Sequence, residues 1–340
     1  VGGDAGGFTL RRRQFDEEDV RIRPGRGSRP RTRKRPAHED AATGYVVAVD
    51  RGRYTCLVEG RTTVAMKARE LGRKGVVVGD EVRLVGDVSG RPDALARIVG
   101  LVPRRSVLRR TADDTDPVER VIVANADQLV IVTALADPEP RPRMIDRCLV
   151  AAYDAGLDPL LCLTKADLAP AEKLLDVYAP LGVPHVVVQR GGDLAEVREH
   201  LRDRRSVLVG HSGVGKSTLV NALVPDAGRA VSHVNPVTGR GRHTSSSALA
   251  LELPGGGWII DTPGVRSFGL AHVSEESVLA AFPDLEAGAV GCPRGCDHLN
   301  DACALDAWVE EGNARPGRLV SLRRLLVARL GEPEDASLEE

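Results

Sequence analysis

Residues Ser206 to Thr218 read Ser-Val-Leu-Val-Gly-His-Ser-Gly-Val-Gly-Lys-Ser-Thr. An apolar run of strand type enters a loop of the form Gly-x-x-x-x-Gly-Lys-Ser, and a helix-like segment follows to Leu223. Gly210, Gly213 and Gly215 let the backbone curl, so that the N–H groups of His211, Ser212, Val214 and their neighbours converge on one point. Thr218 lies in the first turn of the following helix, whose N-terminus adds partial positive charge there. Convergent N–H donors of this kind bind phosphate. Lys216 is spaced to reach the β- and γ-phosphates and Ser217 to give its hydroxyl to Mg²⁺. A chance glycine-rich turn would lack the strand before it and the helix after it.

Two further stretches carry matching chemistry. Thr164-Lys165-Ala166-Asp167 follows the apolar run Pro159-Leu160-Leu161-Cys162-Leu163. At the C-terminal end of a strand, the Asp167 carboxylate can accept two parallel hydrogen bonds from guanine N1–H and its 2-amino group, a pair that adenine does not offer. The Lys165 stem would lie along the purine face. Asp261-Thr262-Pro263-Gly264 follows the strand-like Trp258-Ile259-Ile260. Asp261 there would hold Mg²⁺ through water, and the Gly264 N–H would meet the γ-phosphate. Between the two lies Arg229 to Ser247, rich in Gly, Ser, Thr and Arg, where Thr244 is the hydroxyl expected on Mg²⁺. Read singly, Asp261 is a turn residue and Thr244 a loop residue; their order and spacing relative to Lys216 favour the functional reading.

Elements must position these groups. Gln128–Thr133, Pro159–Leu163 and His185–Val188 alternate with helical stretches that start near Pro142, Pro170 and Asp193. This is a parallel α/β sheet with crossover helices. Thr164–Asp167 precedes the phosphate loop, whereas in ordinary GTPases it follows. A sheet assembles the same site wherever the chain is cut, so the order implies circular permutation. Upstream, Ala41 to Pro103 holds five short β runs split by Asp50-Arg51-Gly52-Arg53 and Glu59-Gly60-Arg61. These suggest a small Greek-key barrel of the OB type. Its only aromatics are Tyr45 and Tyr54, which points to backbone and shape contacts from Arg and Lys rather than base stacking; a barrel used only as a spacer is the plainer reading. Arg104 to Asp116 reads as a linker.

Near the C-terminus, Cys292, Cys296, His298 and Cys303 form Cys-x₃-Cys-x-His-x₄-Cys. Three thiolates and one imidazole suit tetrahedral Zn²⁺, and four protein ligands make the site structural. A disulfide plus a free thiol is the competing reading, disfavoured in a cytoplasmic protein. Arg315 to Leu330 reads as an amphipathic helix, with Leu319, Leu322, Leu325 and Leu326 inside and Arg318, Arg323, Arg324 and Arg329 outside.

Composition sets wider limits. The 340 residues imply two or three domains, and a net charge of -1 excludes nothing by itself. Aromatics at 3% leave the core to aliphatic side chains. The Arg-rich stretch before Asp40 reads as a disordered arm, either electrostatic for nucleic acid or merely solubilising. No apolar run is of bilayer length or signal-peptide type, so cytoplasmic localisation without membrane contact is expected.

A small barrel, a permuted GTPase and a Cys/His cluster together resemble the RsgA (YjeQ) family of ribosome small-subunit-dependent GTPases. The resemblance runs from about Ala41 to Leu330, carried by the motif order, Gly241-Arg242-His243-Thr244, Asp261-Thr262-Pro263-Gly264 and the cluster at 292–303. It implies GTP binding with Mg²⁺, GTP hydrolysis to GDP stimulated on docking, binding of 16S rRNA and late maturation of the small ribosomal subunit. It also implies a zinc site, with slightly longer spacings than here. The expected layout is a basic arm at 1–40, an OB-fold RNA-binding domain at 41–103, a permuted GTPase domain at 104–272 and an α-helical zinc-binding domain at 273–340, acting as a monomer. There are departures. Gln189-Arg190-Gly191-Gly192-Asp193 stands where a Ser-Ala-containing motif is usual, leaving the base backed by Gln189 or by backbone N–H groups. His211 replaces an expected Gln. Val265 stands where Ras-like proteins carry the Gln that orients water, so the catalytic set is taken as Lys216, Thr244 and His243, with His243 placing the water. A GTP-dependent RNA-binding switch and a P-loop ATPase are the alternatives; Asp167 speaks against the second.

Overall fold

The computed structural model describes residues 38–72, 75–111, 119–225, 248–262, 269–300 and 303–331. Apolar–polar alternation through the first hundred residues yields β1 (Ala42–Asp50), β2 (Arg53–Val58), β3 (Arg61–Lys67), β4 (Glu81–Gly86) and β5 (Ala96–Leu101). Arg51-Gly52 and Glu59-Gly60 turn the two hairpins with φ of 43° and 82°, then 48° and 76°. Positive φ at both central residues matches the right-handed twist of the flanking strands. β1 pairs with β2 and with β4, β3 runs parallel to β5, and β4 and β5 are antiparallel. The ring therefore closes as β1-β2-β3-β5-β4, the expected OB-type barrel. Its core is Val46, Tyr54, Cys56, Val58, Ala65, Val82, Leu84 and Ile98.

The linker expected at 104–116 is corrected in part. Val107–Arg110 forms β6 and pairs antiparallel with β7 (Arg120–Ala124). The physical reason is apolar: Leu108 and Val123 are buried and join the core of the α/β layer. Arg104 is likewise anchored. Its guanidinium makes two hydrogen bonds, of 2.7 and 2.8 Å, to the fully buried Asp80 carboxylate, the fork geometry that a buried carboxylate requires.

β8 (Gln128–Ala134) is buried along its whole length, as a strand covered on both faces must be. With β9 (Asp158–Thr164), β10 (His185–Val187), β11 (Arg205–Val209), β12 (Leu249–Glu252) and β13 (Trp258–Asp261) it forms the order β10-β9-β8-β11-β13-β12. All neighbours are parallel except β12, which is antiparallel to β13. The crossovers are α1 (Pro142–Asp154), α2 (Glu172–Tyr178) and α3 (Ala195–Leu201). Pro142 sits at the helix start, and Gly156 adopts φ of 65° just past its end, where a left-handed residue stops a helix without strain. β12 also pairs with β1, Ala48 opposite Leu249, so barrel and α/β sheet are one continuous sheet.

A second seam reinforces the join. Arg205 bonds Glu81 at 3.0 Å and stacks on Tyr45 at 4.9 Å, and Tyr45 lies 5.2 Å from the Trp258 ring. Burial pushes the Tyr45 hydroxyl up to about 12. Tyr54 is in the barrel core. Both tyrosines are thus packed within the protein, Tyr45 between Arg205 and Trp258 and Tyr54 in the barrel. A side chain at Gly79 would place Cβ 1.9 Å from the Ala124 carbonyl oxygen, so the backbones touch there.

The last elements are α5 (Glu275–Leu279), α6 (Pro283–Ala289), α7 (Ala304–Glu310) and α8 (Pro316–Leu330). α8 buries Leu319, Leu322, Leu325 and Leu326 as its spacing predicts. Its arginines, however, do not form a free basic face. Arg318 pairs with Asp284, Arg323 with Asp306, Arg324 with Asp146 and Arg329 with Glu275. One helix thus ties α6, α7, α1 and α5 together. No helix among the described residues is long and apolar enough to cross a membrane. Residues of the expected arm up to 37 lie outside the described residues.

Candidate nucleotide and metal sites

β9, β8, β11 and β13 are adjacent and parallel, so their C-terminal ends lie side by side. Thr164-Lys165-Ala166-Asp167 leaves β9, Gly210 leaves β11 and Asp261 ends β13. Permutation of the chain has not scattered the motifs, because the sheet order brings them to one edge.

The phosphate loop has the geometry that its glycines predict. Gly213 and Gly215 adopt φ of 85° and 90°. At Gly210 a Cβ would stand 2.4 Å from the Val132 carbonyl oxygen, so only glycine lets the loop start against β8. α4 (Lys216–Leu223) begins immediately after Gly215. Ser212, Gly213, Ser217 and Thr218 are exposed, Val214 is buried, and His211 turns its Nδ1 to the Ser212 carbonyl at 3.0 Å.

Lys216 Nζ lies 3.2 Å from Asp261 Oδ1 and 3.4 Å from the Thr262 carbonyl oxygen. Asp261 Oδ1 is buried and accepts no aligned hydrogen bond among the described residues. Apart from the Lys216 ammonium, which is not aligned for a hydrogen bond, this oxygen has no donor among the described residues and can accept from a water or a ligand that enters the site. The donor set of Asp261 and the exposed Ser217 hydroxyl is all oxygen, which suits Mg²⁺. Thr262 turns its hydroxyl inward to the Leu208 carbonyl at 2.9 Å and fixes the end of β13 to β11.

On the base side, Asp167 is exposed and Lys165 has a left-handed backbone with φ of 60°. Its ammonium donates to the Asp137 carbonyl. Pro138, next in chain, is 3.6 Å from where a Gly213 Cβ would be. The loop Leu135 to Glu139 therefore walls the site between base and phosphate motifs, and sequence reasoning missed it. The available signal was a proline-bearing turn, Asp137-Pro138-Glu139-Pro140, at the C-terminal end of β8. Gln189 sits in the loop after β10 that touches this region: Ala166 N–H donates to the Val188 carbonyl at 3.2 Å. His243, Thr244, Gly264 and Val265 lie outside the described residues.

The Cys/His cluster converges. Cys292 Sγ is 3.8 Å from Cys303 Sγ, and His298 Nδ1 is 3.6, 3.7 and 3.6 Å from Cys292, Cys296 and Cys303. A tetrahedral Zn²⁺ with bonds of about 2.3 Å to sulfur and about 2.0 Å to nitrogen requires S···S edges of about 3.8 Å and S···N edges of about 3.5 Å. All four ligand atoms fall within 4.8 Å of one another and none of the cysteines is in a disulfide. Burial first, and then the Cys292 sulfur, push the Cys303 thiol up to about 12, a backbone N–H at Leu305 pulling the other way. A bound cation reverses that balance and takes the thiolates. Arg323 donates to the His298 carbonyl at 3.0 Å and holds the loop on α8.

A family model described as RsgA GTPase matches residues 101–271. The protein named small ribosomal subunit biogenesis GTPase RsgA from Pseudomonas aeruginosa (strain LESB58) is 41% identical over 263 residues, 74% of this chain and 76% of its own. Its namesake from Ectopseudomonas mendocina (strain ymp) is 40% identical over 270 residues, 76% of each chain. The crystal structure of YjeQ from Thermotoga maritima superposes with a TM-score of 0.63 at 25% identity, over 86% of this chain and 99% of that one. YloQ, described as a circularly permuted GTPase, shares the fold with a TM-score of 0.61 at 22% identity, over 86% and 96%. Motif order, sheet order and these matches agree, and the chain belongs to the RsgA GTPase family of GTP-hydrolysing enzymes.

Proposed function

We propose that this GTPase assists biogenesis of the small ribosomal subunit, hydrolysing GTP when docked on it and contacting 16S rRNA. The observation that carries the reading is the assembly of Thr164–Asp167, Gly210–Thr218 and Asp261 on one sheet edge in permuted order. His211 to Thr218 hold the phosphates through backbone N–H groups and the α4 N-terminus. Lys216 leaves Asp261 and turns to the β- and γ-phosphate oxygens. Asp167 reads guanine N1–H and the 2-amino group, and the Lys165 stem covers the ring. Ser217 and Thr244 would hold Mg²⁺ directly and Asp261 through water; the ion neutralises charge on the transferring phosphoryl group when bound. The Gly264 N–H meets the γ-phosphate, and His243 orients the attacking water in place of a side chain that Val265 cannot supply.

The remaining assignments follow from the same reading. The barrel, about 41–103, contacts rRNA through Arg and Lys. The region 104–272 is the permuted GTPase, and 273–340 holds structural zinc on Cys292, Cys296, His298 and Cys303. The protein works as a monomer in the cytoplasm. The test is the GTPase rate with and without purified small subunits. Stimulation by small but not large subunits is expected. Equal rates, or ATP competing as well as GTP, would reject the proposal.

A further inference from the structure

His211 is the one titratable side chain of the phosphate loop before Lys216, and its ring is half-buried. The ring shares a cavity of about 10 Å³ with Pro138, Glu139, Arg141, Met144 and Val214, so it lies on the side of the loop that faces α1. Its Nδ1 is 3.0 Å from the Ser212 carbonyl oxygen. A carbonyl only accepts, so Nδ1 carries the proton in that bond, and Nε2 is the nitrogen that gains or loses one. The Ser212–Gly213 peptide is trans, and in a trans peptide C=O and N–H point in opposite directions. The ring that draws the Ser212 carbonyl to one side therefore turns the Gly213 N–H to the other. Pulling on one end of the peptide dipole also makes the N–H at the other end a stronger donor. Three charged groups face the ring or share its loop. Glu139, after β8, favours an imidazolium, while Arg141, just before α1, and Lys216 oppose it. β8 and α1 themselves add only side chains that do not titrate.

We propose that the His211 imidazole is a positioning residue of the phosphate loop that strengthens phosphate binding when it is doubly protonated. This rests on reading the site as one for a guanine nucleotide. In either form the ring holds the Ser212–Gly213 peptide with its N–H toward the phosphates. The imidazolium in addition places a positive charge behind that N–H. Imidazoles titrate between about pH 5 and about pH 8, so nucleotide affinity contains a part that grows as pH falls through this range. The sign is fixed by linkage: an anion that binds the cationic form better draws a proton onto the ring when it binds. Glutamine, the residue expected at this position, keeps a donor for the Ser212 carbonyl and has no charge to gain.

His211→Gln therefore separates charge from position. Competition against a fluorescent GDP analogue, from about pH 5.5 to about pH 8, measures affinity for GDP and for guanosine, which lacks phosphate. The quantity read is the ratio of native to variant affinity. GDP's own terminal phosphate also titrates near pH 6, but it does so against both chains and cancels in the ratio. The expected ratio for GDP is near one at the alkaline end and rises to about fivefold at the acid end, the effect of one charge a few ångströms away in well-solvated surroundings. The ratio for guanosine stays flat. His211→Ala, which loses the donor as well, should bind GDP more weakly than His211→Gln at every pH. A GDP ratio that does not change with pH would overturn the proposal, as would a guanosine ratio that changes equally. Equal affinities of the Ala and Gln variants would remove the positioning role. If His211→Gln does not fold, His211→Asn, an amide one carbon shorter, takes its place in the same comparison. Failure of the native chain to prefer GDP over ADP would instead sink the nucleotide assignment, which keeps the two outcomes apart.

Discussion

Asp167 and His243 carry the sharpest tests among single residues. Asp167 is exposed at the end of β9, free to meet a base from solvent. Asp167→Asn replaces a charged acceptor by an amide that can donate to a 2-oxo group. Hydrogen bonds to charged groups contribute about 1.5–3 kcal/mol each, so the loss of two should weaken GTP by at least about a hundredfold and favour the xanthine nucleotide. Competition between GTP and xanthosine triphosphate measures it, and unchanged GTP preference would refute the base assignment. His243→Ala should lower subunit-stimulated hydrolysis by about a hundredfold, the lower range for a positioned proton-handling group, while co-sedimentation with a non-hydrolysable GTP analogue persists. A neutral imidazole, with an ordinary pKa of about 6.5, can accept from water at physiological pH. Wild-type single-turnover rates at saturating subunits, or lost co-sedimentation, would remove the catalytic role.

Helix α8 is the element whose meaning changed most. Read as a helical wheel, it presents leucines on one side and arginines on the other. In the fold those arginines are anchors. Arg324 reaches α1 to bond the buried Asp146 at 3.1 Å and stacks on Tyr178 at 4.8 Å. Burial outweighs Arg324 and raises Asp146 to about 6. A carboxyl raised from 3.8 is ionised at greater cost in the folded chain. Its contribution to stability is therefore full below pH 4 and lost as pH rises through about 6. A shift of about two units is at most about 3 kcal/mol. Asp146→Asn should accordingly gain on the native protein across that window, by up to this amount. Urea unfolding of both chains at matched pH values checks it; a difference that moves toward the native chain as pH rises would show that the Arg324 charge, not burial, governs the site, and one independent of pH would show no net shift.

At the scale of the whole molecule, barrel, GTPase layer and C-terminal helices share one compact unit from Asp40 to Glu340. β1 joins the barrel to the α/β sheet, and α8 clamps the Cys/His loop to α1. Zinc on this cluster would have a local task. Structural sites of this kind contribute about 10 kcal/mol of binding free energy to folding. That energy would act on the loop between α6 and α7, since α8 keeps its own leucine face and its bond to α1. Chelation or Cys296→Ser should raise hydrogen exchange around residues 283–311 while GDP affinity stays intact. Elemental analysis that finds no zinc in protein prepared without chelators would dismiss the site, and a parallel loss of GDP binding would contradict its separation from the nucleotide pocket.

What the sequence determined by itself was everything written in consecutive residues. The phosphate loop needs only its glycines, Lys216 and Ser217 in order, and the metal cluster needs four ligands within a dozen residues. Hairpin turns at Arg51-Gly52 and Glu59-Gly60 are local for the same reason: left-handed backbone is a property of two neighbours. Strand and helix runs followed from period, and the permutation from motif order. Tertiary structure decided the rest, because the deciding partner lies far along the chain. Residues 107–110 became a strand when their apolar side chains found the α/β core. The arginines of α8 became ion pairs when α1, α5, α6 and α7 brought carboxylates to them. Thr164, part of the base-side motif in the sequence, turns its hydroxyl to the Val214 carbonyl, 50 residues along the chain, where a buried carbonyl needs a donor.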